Sequence, residues 1–414
     1  MSDLFDKCNT DSGYFGNFRV LNDYYFTQPI LGGIPGPRMM FNGKEVIMWA
    51  INNYLGLANN EEVKNAARQS LEKWGTFTPM GARMLTGNTE KHIALEQKLA
   101  TFLQKPAAIL FNYGYLGVIG TISALVDTND QIIIDKLSHA SMIDGAMLAS
   151  FGRGFRVFQH NDMDDLEQQL NKMNQKRNGG ILIVTEGVFG MRGDLADLPG
   201  ICKLKEKYGA RLYVDDAHGF GVMGSNGRGL GEHFGLQDKV DIYFGTFAKA
   251  FAAIGAVAAG DSAPIGYIRY NARTQVFAKS LPMIFVDALS TSLDIVAGKP
   301  ELREKMWHIA GLLQNGLQEL GYDIGDTQSP ITPVYVPAGD VETGMSMLKM
   351  LREDYGVFVS GVTYPVVPLG VALFRMIPTA SHTEEDVART LEAYKHLRDR
   401  MKLNLSQKPS RLNR

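Results

Sequence analysis

ILIVTEGVFGMRGDLADLPGICKLKEKYGARLYVDDAHGFG, residues 181–221, places two short apolar runs on either side of a helical stretch. ILIVTEG and RLYVDDA read as strands, being rich in branched and aromatic residues, and LPGICKLKEKY between them reads as a helix. Strand, helix, strand is the unit of a parallel sheet, and continuous apolar runs belong to strands buried on both faces. The rhythm continues in AAILF (107–111), QIIID (131–135), FRVFQH (155–160) and VDIYFG (240–245). From about Phe102 to Gly260 the chain is therefore expected to be α/β, a mostly parallel sheet flanked by helices. Ligands of such sheets bind beyond the carboxyl ends of the strands, which directs attention to the residues just after each one.

Outside this block, residues 1–60 read as an extended arm containing GGIPGPR, and IALEQKLATFLQ as a long helix. KPELREKMWHIAGLLQNGLQEL and DVARTLEAYKHLRDRMKL carry helical apolar stripes, while ITPVYVP and VFVSGV suggest strands. The expected organisation is an arm over 1–60, a large domain over 61–290 and a smaller α+β domain over 291–414.

A chain of 414 residues with 45% hydrophobic and 21% charged residues reads as a soluble globular protein. A net charge of -2 leaves no electrostatic footprint for nucleic acid. Cys8 and Cys202 are too few for a disulfide framework and fit a reducing cytoplasm, and no His/Cys cluster suggests a metal site. The start shows no secretory signal, and AFAAIGAVAAG and YPVVPLGVALF are each about half the length of a membrane span. Peripheral membrane contact stays open, and the basic tail SQKPSRLNR is expected to be frayed.

Two stretches carry the chemistry. VDDAHGFG (214–221) puts Asp215 and Asp216 at the exit of a buried strand, with His218 three residues after Asp215. GTFAKAFAAIG (245–255) sets Lys249 among small and apolar residues after the next strand. Each has a plain reading, an aspartate turn and a lysine that snorkels to the surface. In a parallel sheet, however, both lie at one edge. An aspartate facing a pyridinium nitrogen and a lysine on an aldehyde carbon are the partners pyridoxal phosphate needs. His139 in DKLSHAS, after QIII, is placed to stack on the cofactor ring. Gly114 and Tyr115 in FNYGYLG, entering a helix, offer backbone N–H groups to its phosphate.

INNYLGL, LSHASMIDG, TEGVFGMRGD, VDDAHGFGVMG, GTFAKAF and FRMIPTASHT occur in this order. Together they resemble the α-oxoamine synthase family of fold-type I pyridoxal-phosphate transferases over roughly residues 45–400. The resemblance implies that Lys249 forms the Schiff base and moves the substrate α-proton, that Asp215 partners the pyridinium, that His218 bonds the phenolic oxygen and that His139 stacks on the ring. It assigns Arg375 to the substrate carboxylate, with Asn52 or Asn53 near it. It also implies a homodimer with shared active sites, and a decarboxylative condensation of an amino acid with an acyl thioester.

The chain departs from the family pattern at several positions. Ala248 and Ala278 stand where relatives carry hydroxyls near the phosphate, leaving Thr246, Lys279 and Ser280 as nearby candidates. Gly190 replaces a serine and Arg192 an acid, changes that suit a substrate with an added anionic group, or else drift at a surface position. GTFTPMGAR (75–83) is bulkier than its family counterpart and suggests a reshaped entrance, with Arg83 taken as substrate-binding. The apolar YPVVPLGVALFR suits an acyl chain or membrane surface as well as it suits burial. Within the family the pattern is closest to the branch using serine or cysteate, with L-cysteate slightly favoured and the donor an acyl-CoA or acyl carrier protein thioester. Glycine C-acetyltransferase and 8-amino-7-oxononanoate synthase activities are the alternatives, and a silent regulatory subunit is disfavoured by the presence of Lys249.

Overall fold

The computed structural model describes residues 3–13, 15–16, 25–150 and 154–409. The end of the basic tail, 410–414, and residues 17–24 of the arm lie outside them. The chain divides into two units, Asn52–Trp307 and Met1–Ile51 with His308–Arg414.

The arm is more than an extended segment. β1 (Leu31–Gly32), β2 (Arg38–Phe41) and β3 (Lys44–Met48) pair antiparallel in sequence order. Asn42 and Gly43 between β2 and β3 both have positive φ, 49° and 78°, the requirement of a tight two-residue hairpin that Asn-Gly meets at low steric cost.

The larger unit is built on seven strands: β4 (Ala107–Phe111), β5 (Gln131–Asp135), β6 (Arg156–Phe158), β7 (Ile181–Glu186), β8 (Arg211–Asp215), β9 (Ile242–Thr246) and β10 (Ala256–Gly260). Their spatial order is β4-β10-β9-β8-β7-β5-β6. The expected strands are all present, and β6, β5, β7, β8 and β9 run parallel. β10 enters antiparallel between β9 and β4. Two reversals leave β4 pointing the same way as the parallel set, so the exits of β4, β5, β7, β8 and β9 share one edge of the sheet. Helices Gly114–Leu125, Ala140–Ala149 and Ser262–Asn271 supply side chains such as Val118, Ile122, Met142 and Ile268 to the core of this sheet.

In the smaller unit the strands are β11 (Thr332–Tyr335), β12 (Val357–Phe358), β13 (Ser360–Val362) and β14 (Leu373–Met376). β12 joins β3 in a four-stranded sheet, while β11, β14 and β13 form a separate one. VFVSGV is thus two strands in two sheets, and the arm folds with the C-terminal segment rather than apart from it. Trp49 and His382 stack with ring centroids 3.9 Å apart, and Trp49 Nε1 donates to Thr390 Oγ1 at 2.9 Å. Burial pushes the His382 imidazole down to about 4, so it is neutral and suited to stacking. The histidine of RMIPTASHT accordingly serves the packing of this unit.

Candidate active site

The exits of β4, β5, β7, β8 and β9 bring chemistry to one sheet edge. Asp215 ends β8 and lies opposite Glu186, the last residue of β7. Both are buried. Burial raises the pKa of Asp215, while Lys249 first and His139 second pull it back down. Glu186 is pushed up to about 8 by burial first and by Asp215 second. Glu186 is therefore largely protonated at neutral pH, with Lys249 as the nearby cation. Oε2 of Glu186 accepts from the Gly190 N–H at 3.2 Å, and Oδ1 of Asp215 from the Ala217 N–H at 3.1 Å.

His218 is buried, with its Nδ1 2.8 Å from the Tyr54 hydroxyl. Its other ring nitrogen packs on the Gly190 backbone: a Cβ at position 190 would lie 2.5 Å from His218 Nε2. Gly190 thus makes room for His218, where the sequence suggested a change suited to a substrate with an added anionic group. His139 caps the helix Ala140–Ala149, bonds Ser141 Oγ through Nδ1 at 2.8 Å and meets the Tyr115 ring edge-on. Burial lowers its pKa, favouring a neutral ring with a flat face to offer.

Lys249 is half-buried in the turn from β9 to β10, between buried Phe247 and Ala250. Ala252, with φ 51°, donates its N–H to the Lys249 carbonyl at 3.0 Å and closes that turn. Gly114 opens the 12-residue helix Gly114–Leu125, and Tyr113 before it makes no side-chain cap. A Cβ on Gly114 would meet Thr246 Oγ1 at 2.9 Å. A helix N-terminus, a bare glycine and a buried hydroxyl form a cradle suited to a phosphate. The residues present therefore fit pyridoxal phosphate: anion cradle, buried carboxylate, lysine and flat imidazole share one edge.

Several of the other predicted residues already have partners of their own. Arg83 forms a buried ion pair with Glu96 at 2.9 Å, and its Nε donates to Asn88 Oδ1 at 2.8 Å. Lys279 is exposed and donates to the Met80 carbonyl at 3.0 Å, while the Ser280 hydroxyl donates to Gly87 O at 2.6 Å. Asn53 is buried, its Oδ1 accepting from the Ala58 N–H at 3.1 Å, and Asn52 beside it is half-buried. Arg192 pairs with Asp194 at 3.2 Å. Arg375 is buried on β14 of the smaller unit. Sequence reasoning passed over Glu186 and Tyr54. Glu186 shows the same signal as Asp215, an acid at the exit of a buried strand; Tyr54 sits inside the quoted INNYLGL.

Among the described residues, no group of three His, Cys, Asp or Glu side chains is placed to hold a metal ion. Residues 44–393 match the family described as aminotransferase class I and II. The chain is 46% identical over 404 residues to cysteate-C-fatty acyltransferase of Capnocytophaga ochracea, covering 97% of this chain and 96% of that protein. It is 41% identical over 379 residues to 8-amino-7-oxononanoate synthase of Alkaliphilus metalliredigens, covering 92% of this chain and 94% of that protein. Among solved structures, serine palmitoyltransferase from S. paucimobilis with bound PLP-myriocin aldimine superposes with a TM-score of 0.89 at 30% identity, covering 97% of this chain and 100% of that one.

Proposed function

The chain belongs to the aminotransferase class I and II family, as an acyltransferase of the α-oxoamine synthase type that uses pyridoxal phosphate, and we propose that it condenses L-cysteate with a long-chain acyl thioester. The net reaction joins the amino-acid α-carbon to the acyl carbon and releases carbon dioxide and the free thiol. When bound, the cofactor supplies an electron sink for the charge left on the α-carbon.

The chain's own groups do the rest. With the cofactor bound, Gly114 and Thr246 would hold its phosphate and Asp215 would keep a proton at its ring nitrogen. His139 would offer its flat face to the ring, and His218, steadied by Tyr54, would bond the ring oxygen. Lys249 Nζ would anchor the cofactor and move the substrate α-proton. Glu186, largely protonated near neutrality, limits the negative charge beside Asp215.

What supports cysteate is the 46% identity, over nearly the whole chain, to a cysteate-C-fatty acyltransferase. L-Serine is the second reading, favoured by the Arg192–Asp194 ion pair, which already engages the guanidinium suited to a sulfonate. A homodimer fits the exposure of Met80 (68%), Tyr113 (53%) and Phe277 (76%) on segments next to the phosphate cradle. The exposed side chains of Tyr364, Val366 and Leu369 fit contact with an acyl chain or a membrane surface, and among the described residues no helix is long and apolar enough to cross one.

The test is an absorbance titration of the holoenzyme with L-cysteate and, separately, L-serine. A saturating spectral change at lower cysteate than serine concentration supports the proposal. Tighter binding of serine overturns the cysteate assignment, and no response to either overturns the amino-acid class.

A further inference from the structure

His160 lies just after β6, outside the constellation described above, and both of its ring nitrogens face carboxylates. Nδ1 is 3.0 Å from Asp135 Oδ1, and Nε2 is 2.8 Å from Asp194 Oδ2. Both acids are buried, and the histidine side chain is only 11% exposed. A neutral imidazole has one donor and one acceptor nitrogen, so only the doubly protonated ring satisfies both carboxylates.

Each carboxylate shapes one wall of the candidate site. Asp135 ends β5, and its Oδ1 accepts from the Leu137 N–H at 2.8 Å, fixing the turn that leads to His139. Asp194 closes the loop after β7: its carbonyl accepts from the Phe189 N–H at 3.0 Å, and Gly193 N–H donates to Phe189 O at 2.8 Å. That loop carries Gly190, on which His218 rests. Asn161 reinforces the bridge, with its N–H on Asp135 Oδ2 at 3.1 Å and its Nδ2 on Leu195 O at 2.8 Å.

We propose that His160 is a positioning residue, an imidazolium that clamps the His139 turn to the Gly190 loop and so sets the spacing of the walls around the bound amino acid. The statement that these walls face an amino acid rests on the proposed function; the charge state of His160 does not. The surrounding charges balance: Asp135 and Asp194 oppose His160 and Arg192, the latter bonded to Asp194 Oδ2 at 3.2 Å. Nearby Lys136 and Asp165 are engaged by Gln159, at 3.0 and 2.7 Å. The Phe189 ring meets the imidazole edge-on at 4.4 Å and helps to exclude water. Burial opposes the charged form, yet hydrogen bonds to the two carboxylates raise the histidine to about 9.

Nitrogen-15 NMR of histidine-labelled full-length protein, with and without cofactor, reads the charge state directly. One imidazole protonated on both nitrogens at pH 7.5, and missing from His160→Gln, is expected; a single neutral tautomer at His160 overturns the proposal. In the second arm, holoenzyme is titrated well below its melting temperature with whichever of L-cysteate and L-serine binds the wild type. His160→Gln is expected to weaken binding at least tenfold, and His160→Gln with Asp194→Asn, which restores the local charge balance between Asp135 and Arg192, to recover to within about threefold of wild type. Folded His160→Gln that binds as wild type overturns the positioning role. If His160→Gln does not fold, the doubly protonated signal in the wild type and its loss in Asp194→Asn decide the matter instead. If neither amino acid binds the wild type, the functional reading fails while the NMR arm still tests the clamp.

Discussion

Gly190→Ser introduces the serine that the family resemblance implies at this position, yet the structure predicts that it harms this chain. The new Cβ would stand 2.5 Å from His218 Nε2 and 2.8 Å from Cδ2, where ordinary contact begins at 3.4 Å. The ring must retreat by about 1 Å or the loop must lift by as much. Retreat disturbs the 2.8 Å hydrogen bond between His218 Nδ1 and the Tyr54 hydroxyl, which fixes the ring. Losing that bond costs about 1 kcal/mol, and forcing an extra group into a packed site costs about 1–3 kcal/mol more. Lifting the loop instead strains the hydrogen bonds from Phe189 and Gly193 that close it.

If half of a loss of about 3 kcal/mol falls on substrate binding, affinity drops by about tenfold. The assay is the absorbance titration with both amino acids, read beside thermal unfolding of the same holoenzyme. Weaker binding of both amino acids together with a lower melting temperature is expected. Unchanged stability with a clean switch toward L-serine would refute the reasoning, because Gly190 would then be a hole for substrate and not a seat for His218.

Lys249→Ala should abolish condensation and the visible absorbance of lysine-bound cofactor, while far-ultraviolet circular dichroism stays as in the wild type; turnover at the wild-type rate would remove Lys249 from the mechanism. Stability should also fall at alkaline pH. His160 is raised to about 9 in the fold, above the unfolded value near 6.5, so its contribution is fully present below about 6.5 and is lost as pH rises through about 9. The expected loss is on the order of 3 kcal/mol, read by urea unfolding at pH 6 and pH 10. Glu186 and Asp216, raised to about 8 and about 7, act in the same direction, so the difference between wild type and His160→Gln isolates the histidine.

The legible parts of the fold are those where one segment carries its own signal. β5 and β7 carry continuous runs of branched residues and β8 the apolar Leu-Tyr-Val, and burial on both faces follows from those runs. β10 reads AVAAG, five small residues without a branched run, and its antiparallel course depends on the short turn that carries Lys249. The Asn-Gly hairpin at 42–43 was visible in FNGK, but a two-residue turn says nothing about the partner that β3 finds more than 300 residues later in β12. Lys249, Asp215, His139 and His218 are legible as candidates because a buried sheet makes each strand exit one. Whether a polar side chain is already engaged is another matter. Arg83 is committed to Glu96 and Ser280 to the Gly87 carbonyl, partners whose proximity only the fold decides.

Arg192 shows how that distinction bears on function. In sequence it is a reversal of charge beside a glycine, which suggests a pocket adapted to an anionic substrate. In the structure its guanidinium lies against Asp194, whose other oxygen, Oδ1, is buried without a hydrogen-bond partner among the described residues. Two buried carboxylates next to one imidazolium would leave a net negative charge in a poorly solvated place, and such a charge is costly. Arg192 supplies the missing positive charge, which is reason enough for an arginine there whatever the substrate. Its side chain is 37% exposed, however, so its pairing is screened and weaker than that of His160. A substrate sulfonate would have to compete with Asp194 for the guanidinium, and the clamp would loosen as it won. Cysteate selection through Arg192 therefore predicts coupling: in a double-mutant cycle of Arg192→Ala and His160→Gln, the two losses in cysteate affinity should fail to add, whereas an arginine that only balances charge should affect cysteate and serine alike.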